Sequence, residues 1–235
     1  KKPKVRPELE NVRLVFEGKV PVINHTYSGW GVAEAIRLFH DEFKLHVIVT
    51  HTAFGGFQVG EYAARRATRV YVNIGPRLVE YRTPWDGRLH GMGAEYWERG
   101  VRNLSINTDS VGYAFMKISP QEHLFFQASM SVHYGLKEEA ALRAITIEPA
   151  RALMIDHRVG SLKVGKDADL VIKRGSLLDV TKPVDIVVVD GEIAYRRKGC
   201  GIVVRPPAEK DGKKGRSTKP EQTSIKGKRF RRASL

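Results

Sequence analysis

Four short runs of β-branched and apolar residues lie in the first half of the chain, separated by segments with helical patterning. They limit the folds open to it. The first, "VPVINH" (20–25), ends in a histidine. In "WGVAEAIRLFHDEF" (30–43), Val32, Ile36 and Phe39 fall on one helical face, with Ala35 and Leu38 adjoining it. The second run, "KLHVIVTH" (44–51), again ends in histidine, and "FGGFQVGEYAARR" (54–66) reads as a helix with a Gly-rich start. "TRVYVNIGP" (68–76) is the third, stopped by Gly75 and Pro76. A long loop over 77–93 and a short helix around 94–100 lead to the fourth, "NLSINTD" (103–109). Strands alternating with helices make a parallel sheet covered by helices. The sheet is either doubly wound or part of a (β/α)8 barrel, and both folds place active sites at the carboxyl ends of strands. No G-x-G-x-x-G follows the first strand, and "FGGFQVG" has the wrong spacing, so a dinucleotide fold is the weaker option.

Beyond residue 118 the pattern changes. "SPQEHLFFQASMSVHYG" and "KEEAALRAITIEPARAL" read as helices, the first with Ser119 as N-cap and Pro120 at the first helical position. "HRVGSLKVGKDADLVIKRG" and "VDIVVVDGEIAY" read as short strands joined by Gly and Asp turns, the last with a hairpin-type Asp-Gly.

The net charge of +14 suggests a nucleic-acid partner until it is located along the chain. From Arg196 onward there are 14 Lys and Arg against Glu209, Asp211 and Glu221, so the tail carries +11 and the first 195 residues only +3. The tail has almost no apolar periodicity and is expected to be disordered. Its only aromatic is Phe230, which supports base stacking poorly. "RRASL" (231–235) resembles a kinase site with Ser234 as acceptor, a match that chance supplies readily in an Arg-rich tail. The single cysteine, Cys200, excludes an internal disulfide framework and leans towards a cytoplasmic setting. No apolar run approaches the roughly 20 residues of a membrane span. The chain starts at Lys1 rather than Met, as a processed protein or an excised piece of a longer gene would.

Three of the four runs end in a titratable or metal-competent group: His25, His51 and Asp109. A parallel sheet brings its carboxyl strand ends to one rim, and two imidazoles with a carboxylate suit zinc or another first-row divalent ion. Each residue alone reads more readily as structural, and Asp109 could cap a turn; together they make metal and proton chemistry an even alternative. His46 falls on the opposite face and is expected to be packed or exposed. His40, His90, His123, His133 and His157 fall on helices or loops and are set aside.

The stretch "EEAALRAITIEPARALMIDHRVGSLKVGKDADLVI", followed by "VVVDGEIAY", resembles the carboxyl-terminal portion of the metal-dependent amidohydrolase superfamily, in its imidazolonepropionase-like branch. The likeness runs from about residue 8 to 196. It implies an α/β fold: strands 5–8 of a (β/α)8 TIM barrel, then carboxyl-terminal strands of a small β-sandwich. Residues 1–155 would form the partial barrel, 156–196 the sandwich segment and 197–235 the basic tail. It implies His25 as the strand 5 metal ligand, His51 as the strand 6 histidine that binds metal or contacts substrate, and Asp109 as the metal-adjacent general acid/base of strand 8. One or two divalent ions, zinc foremost, would be held. Asp167 and Asp169 belong to turns of the signature. The strand 1 His-x-His and strand 4 lysine have no counterpart; Tyr27 stands where a second strand 5 histidine is frequent, and Val111 where proline is common.

The expected function is hydrolysis of a non-peptide carbon–nitrogen bond in a small amide or cyclic amide, in a cytoplasmic protein that could form homo-oligomers. The loop carrying Trp85 and "VGYAF" (111–115) would shape the pocket. One alternative is an inactive fragment or one part of a split enzyme. The other is a tail that binds nucleic acid or an acidic surface through salt-sensitive contacts.

Overall fold

The computed structural model describes residues 4–76, 78–81, 87–109 and 120–201. The expectations for the Trp85 loop, for "VGYAF", for the Ser119 cap and for the tail beyond Gly201 lie outside these residues. Lys1–Cys200 make one compact unit.

After helix α1 (Glu10–Phe16) come strand β1 (Val22–His25) and helix α2 (Gly29–Ala35). Ser28 starts α2 by accepting a hydrogen bond from the Gly31 amide at 3.0 Å, an N-cap that satisfies one orphan donor. The helix widens into a π-helical stretch, Ile36–Glu42, before β2 (Val47–His51). A 3-10 turn (Gly56–Val59) leads into α3 (Gly60–Ala64), and β3 (Val70–Ile74) follows. The stretch expected as a continuous loop contains instead a small hairpin, β4 (Val79–Tyr81) paired antiparallel with β5 (Leu89–Gly91). Strands of three residues leave no readable period, and this hairpin places Glu80 opposite His90, both buried polar residues. Helix α4 (Met92–Glu98), β6 (Leu104–Ile106), α5 (Pro120–His133), α6 (Glu138–Ala144) and α7 (Ile147–Ala152) complete the α/β part.

The strands β1, β2, β3 and β6 form one parallel sheet in that spatial order, with no reversal. Val47, Val49, Val70, Val72, Ile74, Leu104 and Ile106 pack in one core with Val32, Ile36, Ala63, Met92, Tyr96, Ala128 and the α6 alanines. Helices α2 to α6 thus share one face, as in a barrel wall; a doubly wound sheet would have helices on both. The other face carries Ile23, 62% exposed, at the β1 edge, which no described strand pairs. Its amino-terminal end is covered where His46 stacks on Tyr71 at 4.8 Å. Burial there holds the His46 imidazole below its ordinary pKa.

Strands β7 (Leu170–Lys173), β8 (Val184–Val189) and β9 (Glu192–Arg196) form an antiparallel meander. The β8–β9 turn is the Asp-Gly pair read from the sequence, with φ of 51° at Asp190 and 78° at Gly191. Asp169 accepts the Asp190 amide of that turn at 2.8 Å, and Asp167 accepts Arg158 Nη2 at 2.7 Å. Among the described residues no helix is long and apolar enough to cross a membrane.

One polar staple ties the π-helical stretch to α3. Asp41 accepts Arg66 Nε at 2.6 Å and Nη2 at 2.8 Å, together with the Tyr62 hydroxyl and His40 Nδ1. The Arg66 hydrogen bonds foremost hold this carboxyl well below the usual aspartate range. A depressed folded-state pKa stabilises the fold above about pH 4 and loses that contribution as pH falls further. Asp41→Asn should therefore lower the unfolding free energy by about 1–2 kcal/mol at pH 7, the pair being partly exposed. In urea titrations at descending pH, the deficit against the parent protein should shrink below about pH 4.

Candidate functional site

His25 and His51 close the first two strands of the parallel sheet. Along β1, Val22 packs on the helix-side core, so period two carries Ile23 and His25 to the opposite face. Along β2, Val47 and Val49 also face the helices, and strict alternation would bury His51 among them. That does not happen, because the backbone turns left-handed there. The φ values are 63° at His51, 48° at Thr52, 52° at Phe54 and 78° at Gly55. Only the last is a glycine, so three L-residues occupy a region they seldom adopt.

The turn brings the His51 ring against that of His25, with centroids 4.3 Å apart and planes at 63°. Tyr27 meets His25 edge-on at 4.5 Å and lies parallel to His51 at 6.1 Å. His51 Nδ1 lies 2.7 Å from the Gly75 carbonyl oxygen. A carbonyl can only accept, so Nδ1 carries the proton and Nε2 is the lone-pair nitrogen of the neutral ring. An imidazole whose second nitrogen is tied to a carbonyl is the arrangement of a metal-ligating histidine.

Residues unrecognised in the sequence support this loop from beneath. The wholly buried Tyr96 donates its hydroxyl to the Thr52 carbonyl at 3.1 Å. Burial pushes its phenol pKa up, so it stays a donor. Glu80 Oε2 accepts the Gly55 amide at 2.8 Å. In the sequence Tyr96 falls in the short helix read around 94–100 and Glu80 in the loop read over 77–93, and neither carries a spacing signal.

Asp109 is less integrated. It is exposed, has a φ of 47° and lies three residues beyond the end of β6. Three strand spacings of about 4.8 Å separate β1 from β6 in a flat sheet, and only the curl of a closed barrel draws such edges together. Among the described residues no group of three His, Cys, Asp or Glu side chains could hold a metal ion. The structure thus joins His25 to His51 and leaves Asp109 outside that pair. On β3 and β6, Asn73 donates to Ser105 Oγ at 2.7 Å and accepts from Asn107. The imidazole pair suits a first-row divalent ion by donor chemistry, with further donors needed for four-coordination.

Residues 94–194 match the amidohydrolase family. Amidohydrolase tasK of Hapsidospora irregularis is 37% identical over 164 residues, which cover 68% of this chain and 15% of that protein. Adenine deaminase 4 of Rhizobium meliloti (strain 1021) is 32% identical over 114 residues, 48% of this chain and 18% of that protein. The crystal structure of an amidohydrolase from Thermotoga maritima MSB8 superposes with a TM-score of 0.67 at 26% identity, covering 84% of this chain and 49% of that one. The chain therefore spans less than a fifth of these curated relatives and about half of the solved one.

The carbonyl that orients His51 belongs to a crowded glycine. A Cβ on Gly75 would meet the Asn107 carbonyl oxygen at 2.4 Å and Gln127 Oε1 at 2.8 Å, at a φ of 107°. Gly75→Ala should lower the unfolding free energy by about 2–3 kcal/mol. It should also displace the His51 ring, seen as altered imidazole 15N shifts in long-range HSQC spectra.

Proposed function

We propose, from the premise that residues 94–194 are amidohydrolase-family sequence, that this chain supplies the carboxyl-terminal half of a carbon–nitrogen hydrolase. The substrate is a small non-peptide amide or cyclic amide. The observation that carries this reading is the pair of strand-end imidazoles in ring contact at 4.3 Å, one with its proton committed to the Gly75 carbonyl. The parallel sheet is read as strands 5–8 of a barrel, and the meander β7–β9 as part of a β-sandwich.

His25 and His51 are the residues that would hold a divalent ion, zinc foremost, with Asp109 beside them in the closed barrel. Such an ion, when bound, acidifies a water and polarises a carbonyl. Asp109 takes the proton of the attacking water and returns it to the leaving nitrogen, so that the amine departs neutral. His51, its Nδ1 proton held by the Gly75 carbonyl, completes the ligand set through its Nε2 lone pair. Tyr27 and Phe54, exposed beside the histidines and 6.0 Å apart, form an apolar wall for a small cyclic substrate.

The second reading, a chain inactive until completed, is favoured by the β1 edge. Ile23, Tyr27 and Trp30 are 62%, 59% and 76% exposed there, an apolar surface uncommon beside a strand edge that no described strand covers. Both readings meet in one experiment, in which the chain is produced alone and joined to an amino-terminal half carrying a His-x-His strand. The joined protein should take up zinc stoichiometrically and hydrolyse amide substrates, while the chain alone binds zinc weakly. Asp109→Asn should lower kcat by about 10²–10⁴-fold in the joined protein. Unchanged turnover in that variant would overturn the assignment of Asp109.

A further inference from the structure

The segment that presents His51 holds three non-glycine residues at positive φ, each costing on the order of 1–3 kcal/mol. Such a conformation persists only where its surroundings hold it. One end is gripped by Tyr96, through the Thr52 carbonyl. At the other end the Gly55 amide, in a buried residue, is bound by Glu80.

Glu80 is an unusual choice for the task. It is only 5% exposed; Oε2 accepts the Gly55 amide, and Oε1 has no hydrogen-bond partner among the described residues. Burying a carboxyl group with one oxygen unsatisfied costs stability, which its single hydrogen bond to Gly55 offsets only in part. Stability therefore does not account for a glutamate here. Its attachment is rigid as well. The β4–β5 hairpin that carries it packs so closely that a Cβ on Gly91, opposite Val79, would fall 2.0 Å from the Tyr134 carbonyl oxygen.

We infer that Glu80 is a positioning residue for His51: from the hairpin it holds the Gly55 amide, and thereby keeps the His51 ring turned out of the helix-side core and against His25. The inference concerns the same histidine pair as the proposed metal site and rests on that reading for its catalytic meaning. The ring contact itself can be measured without metal.

Two substitutions separate positioning from general stability. Glu80→Gln keeps a side-chain oxygen that can accept the Gly55 amide, whereas Glu80→Ala removes it. In the full, metal-free chain, the nuclear Overhauser contact between the His25 and His51 rings should be present in the parent and in Glu80→Gln. It should be lost in Glu80→Ala, while the far-UV circular dichroism spectrum of that variant stays that of the parent. Glu80→Leu repeats the test with the volume refilled if the Ala variant does not fold. A Glu80→Ala or Glu80→Leu protein that keeps the contact overturns the inference, as does failure of both to fold. Zinc titration of the same proteins joined to the amino-terminal half tests the other reading. If the parent shows the ring contact and takes up no zinc, the metal assignment fails and the positioning role stands. If it takes up zinc, Glu80→Ala should bind it about 10–100-fold more weakly.

Discussion

Period two in the parallel strands is the constraint on which the rest of this structure depends. Helices α2 to α6 lie on one face of the sheet, so Val47, Val49, Val70, Val72 and Ile74 are committed to a dry core. Everything polar that the strands carry, from Asn73 and Ser105 to His25, is left to the opposite face or the strand ends. A sheet of four parallel strands, β1-β2-β3-β6, with one face so divided has a natural place for chemistry. Among the described residues, no further strand pairs either of its two edges.

His51 is where this constraint is broken. Its position in β2 belongs to the core face, yet its ring meets a histidine on the other face. The exchange needs a run of left-handed backbone, and that run is secured by three contacts from three other segments: Gly75 to the ring, Tyr96 to Thr52, and Glu80 to Gly55. Strain of this kind concentrates where side-chain placement matters more than local comfort. The hairpin β4–β5, with strands of three residues each, gains its importance from carrying one of these contacts.

Much of the architecture was legible in the residues. The four apolar runs appear as the four parallel strands and the Asp-Gly pair as the β8–β9 turn. The hairpin was not legible, because Glu80 and His90 are polar residues placed inside and three-residue strands are too short to show alternation. Of the three candidate site residues, His25 and His51 stand together, while Asp109 stands apart in a loop that begins after β6. Strand-end position can be read from sequence. Convergence at one point depends on how far a sheet curls, and that is a property of the whole barrel.

The sequence by itself determined the alternation of strands and helices, the two histidines that close β1 and β2, and the turn chemistry of the meander, since each depends on neighbours a few residues away. Only the tertiary structure decided that the helices share one face and that His51 crosses to the other. It alone recruited Tyr96 and Glu80, 44 and 25 residues from their loop partners, to hold it there. Local patterning records burial preference but not the long-range contacts that stabilise an unfavourable backbone, and the direction of the His51 ring depends on those contacts.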